Sequence, residues 1–156
     1  MNKNHSKEYF MKKALLEAKK AYEKDEVPIG AIIVKDNKII ARAHNLRETK
    51  KISTAHSEII AIEKACKKLG GWRLNDCEMY VTVEPCPMCA GAILNSRIKK
   101  LYYGTIDEKS GAVESNVNLL DLGKSYCNHQ VLYEGNVLNN SCKELLQEFF
   151  SKLRKK

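Results

Sequence analysis

No apolar run in this sequence approaches the roughly 20 residues that a membrane-spanning helix needs, so no membrane partner is expected. The stretch MNKNHSKEYF at the N-terminus also lacks the apolar centre of a signal peptide, and a cytoplasmic chain is expected. Cysteine is too sparse for a disulfide scaffold: six in 156 residues, which a reducing compartment keeps as thiols. No repeat, linker or low-complexity block divides the chain. Residues 1–156 are therefore expected to form one domain, long enough to bury a core without staples. Acidic residues are outnumbered, 19 against 27 basic, for a net charge of +8. That excess suits a polyanionic partner such as nucleic acid; it equally suits a chain whose default surface residue is lysine.

What is present is strongly patterned. Met11, Leu15, Ala18 and Tyr22 recur at helical spacing among lysines, which predicts an amphipathic helix over 6–24. VPIGAIIVKDNKIIARA reads as two β-rich runs around an Asp36-Asn37 turn, a hairpin. TAHSEIIAIEKA opens a second helix with Ile59, Ile62 and Ala65 on one face, ending near Gly70-Gly71, where glycine suits a C-cap. CEMYVTVE is a strand, and CPMCAGAILNS a short helix with Pro87 near its first position, where a missing N–H costs nothing. IKKLYYG and HQVLYE read as further strands on either side of a loop. Ser141 and Glu144 have capping-box spacing before Leu145, Leu146, Phe149, Phe150 and Leu153, which predicts a last helix. Strands alternating with helices predict an α/β sheet covered on both faces.

Cys86 and Cys89 stand at C-x-x-C spacing, after a strand and at the start of a helix. Such a pair can bind a metal, form a redox disulfide or do nothing. His56, at the start of another helix, favours the metal. One histidine and two cysteines make three protein ligands, the number that leaves zinc a fourth position for water. Helix N-termini stabilise thiolates there through free N–H groups and the positive end of the dipole. Residues two apart do not share a helix face, but at a first turn both His56 and Glu58 can reach past the helix end. Glu58 then lies beside the water as a proton carrier. Cys66, Cys77, Cys127 and Cys142 form no second C-x-x-C and read as small core residues.

H-x-E at His56–Glu58, followed some 30 residues later by P-C-x-x-C, resembles the signature of zinc-dependent nucleobase deaminases. EVPIGAIIV, AHN, TAHSEIIAI, YVTVEPCPMCAGAI, SRIKKLYYG, DEKSGA and CNH are similar, in order and spacing, to the bacterial tRNA adenosine deaminase branch of that family. The resemblance implies a cytidine deaminase-like, three-layer α/β/α sandwich with a mixed sheet of about five strands, and a homodimer. It implies hydrolytic deamination of adenosine to inosine at the wobble position of a tRNA anticodon stem-loop. Carried over by position, His56, Cys86 and Cys89 are ligands of one zinc ion and Glu58 is the catalytic proton shuttle. Asn45 matches an asparagine that holds the base or ribose, and Asp107 lies in a loop that approaches the RNA. Small residues are expected after SGA in that loop. This chain has Val113-Glu114-Ser115 instead, a departure that bears on RNA contacts and leaves the zinc residues untouched.

Two other readings remain open on the residues. EPCPMC also resembles guanine deaminases, so the same chemistry could act on guanine or another free base or nucleoside. A structural zinc in a nucleic-acid-binding module is the non-enzymatic reading, and Glu58 has little purpose in it. The basic end SKLRKK favours a polyanionic substrate.

Overall fold

Ser6 accepts a hydrogen bond from the Tyr9 N–H at 3.1 Å and so caps α1, Lys7–Glu23. The structure is a computed structural model that describes residues 4–155; Lys156, the last of the basic C-terminal run, lies outside the described residues. Met11, Leu15 and Ala18 are buried as the helical spacing predicts, with Tyr22 half-buried beside them. Strands β1, Gly30–Lys35, and β2, Lys38–His44, form the expected antiparallel hairpin. Asp36 and Asn37 both adopt positive φ, 50° and 62°, the geometry that a two-residue turn needs to match strand twist. A side chain at Gly30 would collide with the Ala14 carbonyl and the Ala18 N–H, so glycine there lets α1 lie directly on β1.

A short helix, α2 at Arg47–Lys50, leads to α3, Ser57–Leu69, which ends at Gly70 with φ 75°. Its buried apolar residues are Ile60, Ala61 and Ala65; of the expected inward face only Ala65 is fully buried, and Ile59 and Ile62 flank it half-buried. Strand β3, Cys77–Val83, is followed by α4, Pro87–Asn95, with Cys86 as N-cap and Pro87 at the first helical position. Strand β4, Lys100–Thr105, is followed by a 3-10 turn, a short α5 at Gly123–Tyr126, β5 at Leu132–Glu134 and α6 at Asn139–Arg154.

Two local expectations are corrected. Ser141 does not cap α6 and the capping box with Glu144 is absent: the helix begins earlier, with Leu138 as N-cap in the left-handed region at φ 53°. Leu138 packs on the core between α1 and the sheet, and that burial overrides the local capping signal. The last strand is three residues long, because His129 is taken by other partners, its N–H by Gly123 O and its ring Nε2 by Ile98 O.

The five strands lie in the order β2-β1-β3-β4-β5, antiparallel on the hairpin side and parallel from β3 to β5. Alternate residues of β1 serve opposite cores. Ala31 and Ile33 face the α3/α4 side, Ile32 and Val34 the α1/α6 side. A strand buried on both faces shows no polar alternation, and GAIIVK shows none. The result is the expected three-layer arrangement around a mixed sheet. Cys77 and Cys142 are buried as core residues, whereas Cys66 and Cys127 are only half-buried; all are free thiols.

Candidate active site

The parallel strands β3 and β4 run in the same direction, and the connection after β3 carries Glu84, Pro85 and Cys86 into α4. The N-termini of α3 and α4 meet at that edge of the sheet. His56 is the N-cap of α3 and Cys86 that of α4, and neither side chain caps its own helix. Both are left to point across the gap. His56 Nδ1 lies 3.7 Å from Cys86 Sγ and 3.5 Å from Cys89 Sγ, and the three donor atoms all fall within 4.8 Å of one another. A tetrahedral zinc with ligands at about 2.0–2.3 Å spaces nitrogen and sulfur donors about 3.6 Å apart. The set fits zinc in geometry and in donor type. Among the described residues it is the one such cluster.

The electrostatics agree. The Cys89 thiol donates to the Cys86 sulfur and, with His56 beside it, brings the Cys86 pKa down to about 4. Cys89, facing that anionic sulfur, is pushed well up, and the Cys86 sulfur raises His56. Glu58 is buried behind the cluster, and burial pushes its carboxyl above the ordinary range. The Ser57 hydroxyl donates to Glu58 Oε1 at 2.7 Å, which fixes the carboxylate without neutralising it.

His56, Glu58 and Cys86 form one wall of a cavity of about 240 Å3. Asn45 and Asp107, both singled out from the sequence, line the same cavity. Asn45 Nδ2 donates to Val27 O at 3.2 Å, and Oδ1 accepts from the Arg47 N–H at 3.0 Å. Asp107 Oδ1 accepts from the N–H groups of Lys109 and Ser110, both at 3.1 Å, which leaves Oδ2 for a ligand.

Sequence reasoning missed two residues. Glu26 is fully buried and accepts the N–H groups of Glu48 at 3.0 Å and Thr49 at 2.7 Å, so it caps α2 from outside the helix. Glu84 is also buried and accepts the N–H groups of Asp107, Val113, Glu114 and Ser115 at 2.7–3.1 Å, together with the Ser115 hydroxyl. Val113-Glu114-Ser115, the departure in the loop, thus serves through backbone amides. Val113 is itself buried, and the Glu114 side chain accepts from the Tyr103 hydroxyl. The one available signal for Glu84 was its place directly before Pro85-Cys86; Glu26 had none.

A larger groove of about 1140 Å3 lies at the opposite edge of the sheet, along Asp36, Asn37, Tyr80 and Tyr102. It mixes acids with lysines and carries none of the His-Cys-Cys donors, so the smaller cavity is the candidate site.

Residues 4–154 match the MafB19-like deaminase family. The tRNA-specific adenosine deaminase of Bacillus subtilis (strain 168) is 52% identical to this chain over 149 residues, covering 96% of this chain and 91% of the relative. A structure solved in studies of A-to-I editing by tRNA:A34 deaminases superimposes with a TM-score of 0.82 at 44% identity, over 88% of this chain and 98% of that one. The guanine deaminase of Bacillus subtilis superimposes with a TM-score of 0.63 at 34% identity, over 78% of this chain and 90% of that one.

Proposed function

Because the chain belongs to the tRNA-specific adenosine deaminases, we propose that it hydrolyses the wobble adenosine of a tRNA anticodon to inosine and ammonia. The observation that carries this reading is one cavity lined by His56 and Cys86, two members of a convergent His-Cys-Cys donor set, and by the buried carboxyl of Glu58. The whole chain, 1–156, acts as one deaminase domain.

His56, Cys86 and Cys89 would hold zinc. Bound there, the ion would supply the Lewis acidity that lets a water give up a proton near neutral pH. Glu58 moves the protons. Its carboxylate takes one from the water and delivers it to a ring nitrogen, which makes the carbon bearing the amine more electrophilic. The water oxygen adds to that carbon; Glu58 then takes the second proton from the added hydroxyl and passes it to the amine, the C–N bond breaks, and ammonia leaves as the carbonyl of inosine forms. Burial, which raises the Glu58 pKa, suits a group that must both accept and give a proton. Asn45 and Asp107 hold the nucleotide from the facing wall. A cavity of about 240 Å3 suits one flat base better than a whole nucleotide, so the base must leave its stack to enter.

Contacts outside the cavity then supply the rest of the binding energy. The C-terminal half of α6 lies beside the C-terminal end of α1, where Tyr22 meets Phe149 and Glu148. That end of α1 leads into Glu26 and Val27, which line the cavity. Lys152, Arg154 and Lys155 are therefore suited to RNA phosphates near the site. A homodimer is the proposed assembly, and the exposed side chains of Val117, Leu122, Tyr126 and Leu132 are apolar surface that it could cover. Among the described residues no helix is long and apolar enough to cross a membrane; the cytoplasm, where tRNA is found, is the proposed location.

Guanine is the second reading, favoured by the structural likeness to a guanine deaminase. Nucleoside analysis of an anticodon stem-loop after incubation with the protein tests the first. Inosine at the wobble position is expected, and an unchanged stem-loop would overturn it.

A further inference from the structure

Glu84 stands where the two walls of the cavity join. Through the chain it is two residues from the donor Cys86. Through space its carboxylate is the hub of the loop that carries Asp107. Oε1 takes the Asp107 N–H at 3.0 Å and the Ser115 hydroxyl, while Oε2 takes the N–H groups of Val113, Glu114 and Ser115. The next residue adds a backbone bond, since Pro85 O accepts the Ala112 N–H at 2.8 Å. Gly111 sits over the carboxylate so closely that any side chain there would collide with Glu84 Oε1. The loop has no strand or long helix of its own to fix it; between Thr105 and Leu119 its order comes from these contacts, its own turns, the burial of Ala112 and Val113 in the core and the Tyr103–Glu114 hydrogen bond.

We propose that Glu84 is a positioning residue that locks the substrate-side wall, through Asp107, to the metal-side wall, through Cys86. This rests on the deaminase reading above. A carboxylate suits the task because it accepts without donating, and every group that faces it here is a donor. Glutamine would present an amide N–H to backbone N–H groups and lose one acceptor. Aspartate keeps the charge but is one methylene too short to reach the same amides. The side chain touches no reacting atom in this scheme; it acts on binding through the place of Asp107.

The test uses full-length protein carrying Glu84→Gln, Glu84→Asp, Asp107→Ala and the Glu84→Gln/Asp107→Ala pair. Amide hydrogen exchange is the first readout. In Glu84→Gln, exchange at Asp107, Val113, Glu114 and Ser115 should rise about tenfold or more while β3 and β4 amides and metal content stay as in the wild type. Steady-state kinetics on the stem-loop is the second. KM should rise about tenfold with a smaller change in kcat, in line with loss of charged hydrogen bonds at a binding wall. Glu84→Asp should fall between wild type and Glu84→Gln in both readouts. Adding Glu84→Gln to Asp107→Ala should raise KM little further, because both changes act on one contact. Unchanged loop exchange would overturn the proposal, as would faster exchange with an unchanged KM, or full additivity in the pair. Should Glu84→Gln fail to fold, Ser115→Ala removes one loop contact and should show the same pattern at reduced size. Wild-type protein that makes no inosine would instead remove the functional reading, and the exchange pattern alone would then decide whether Glu84 anchors the loop.

Discussion

His56 Nδ1 and Cys89 Sγ lie 3.5 Å apart although 33 positions separate them in the chain. Nothing local brings them together. The contact exists because α3 and α4 begin at one edge of the sheet and each leaves its N-terminal donors uncommitted to capping. One tightly bound zinc ion per chain is the expected consequence. Metal analysis of the purified protein should find it, and Cys86→Ser with Cys89→Ser should reduce it to background. Zinc retained in that double variant would place the metal elsewhere.

Glu58→Gln should keep the fold and the zinc while losing turnover. The change removes a proton carrier and no ligand, so kcat should fall by about 10²–10⁴-fold, or more where one group serves several steps. Near-normal turnover with inosine as product would reject the proton-carrier role.

Glu26→Gln should destabilise the protein by about 1–3 kcal/mol, since the buried amide cannot accept from both N–H groups at the start of α2. The cost should depend on pH. Burial alone would raise the Glu26 pKa, but the Thr49 and Glu48 N–H groups outweigh it and hold it below the ordinary carboxylate value. The ionised form therefore stabilises the fold above the unfolded-state value of about 4.3, and this is lost as pH falls through the lower folded value. Denaturant midpoints of wild type and variant should differ at pH 7 and converge in acid. A constant gap would mean that Glu26 acts through packing alone.

That His56, Cys86 and Cys89 converge, with Glu58 buried beside them, was legible in the sequence because its signal is local. H-x-E and C-x-x-C each sit at a helix start, and the apolar spacing of α3 and α4 locates those starts. The sequence did not carry Glu26 or Glu84, whose partners are backbone amides 22 to 31 positions away and leave no mark on residue types. The start of α6 was misplaced for a related reason. Ser141 and Glu144 match a local rule, yet Leu138 gains more from the core on the α1 side than the cap would supply. Packing decided between them. The hairpin, by contrast, was legible to the residue, because Asp36-Asn37 suits the positive φ angles that its turn requires.

Affinity for RNA should fall steeply with salt, with the basic end of α6 contributing to the slope. Lys152 lies 5.3 Å from the centroid of the Tyr22 ring, which holds that end of the helix near α1. Deleting residues 152–156 removes four cations, Lys152, Arg154, Lys155 and Lys156. At about 0.7 per phosphate on a single strand, the slope of log affinity against log salt should flatten by up to about 3. An unchanged slope would mean that these cations only solvate the chain end.

The most direct measurement compares kcat/KM for inosine formation in an anticodon stem-loop with kcat/KM for ammonia release from guanine, under matched conditions and with Glu58→Gln as the control. Contacts remote from the reacting carbon position the flipped base, and a free base cannot use them, so the small substrate should be poor in turnover as well as affinity. The account predicts that the stem-loop is preferred by orders of magnitude and that both activities vanish in the control. Guanine turned over faster than the stem-loop would leave the zinc chemistry standing and contradict the tRNA substrate.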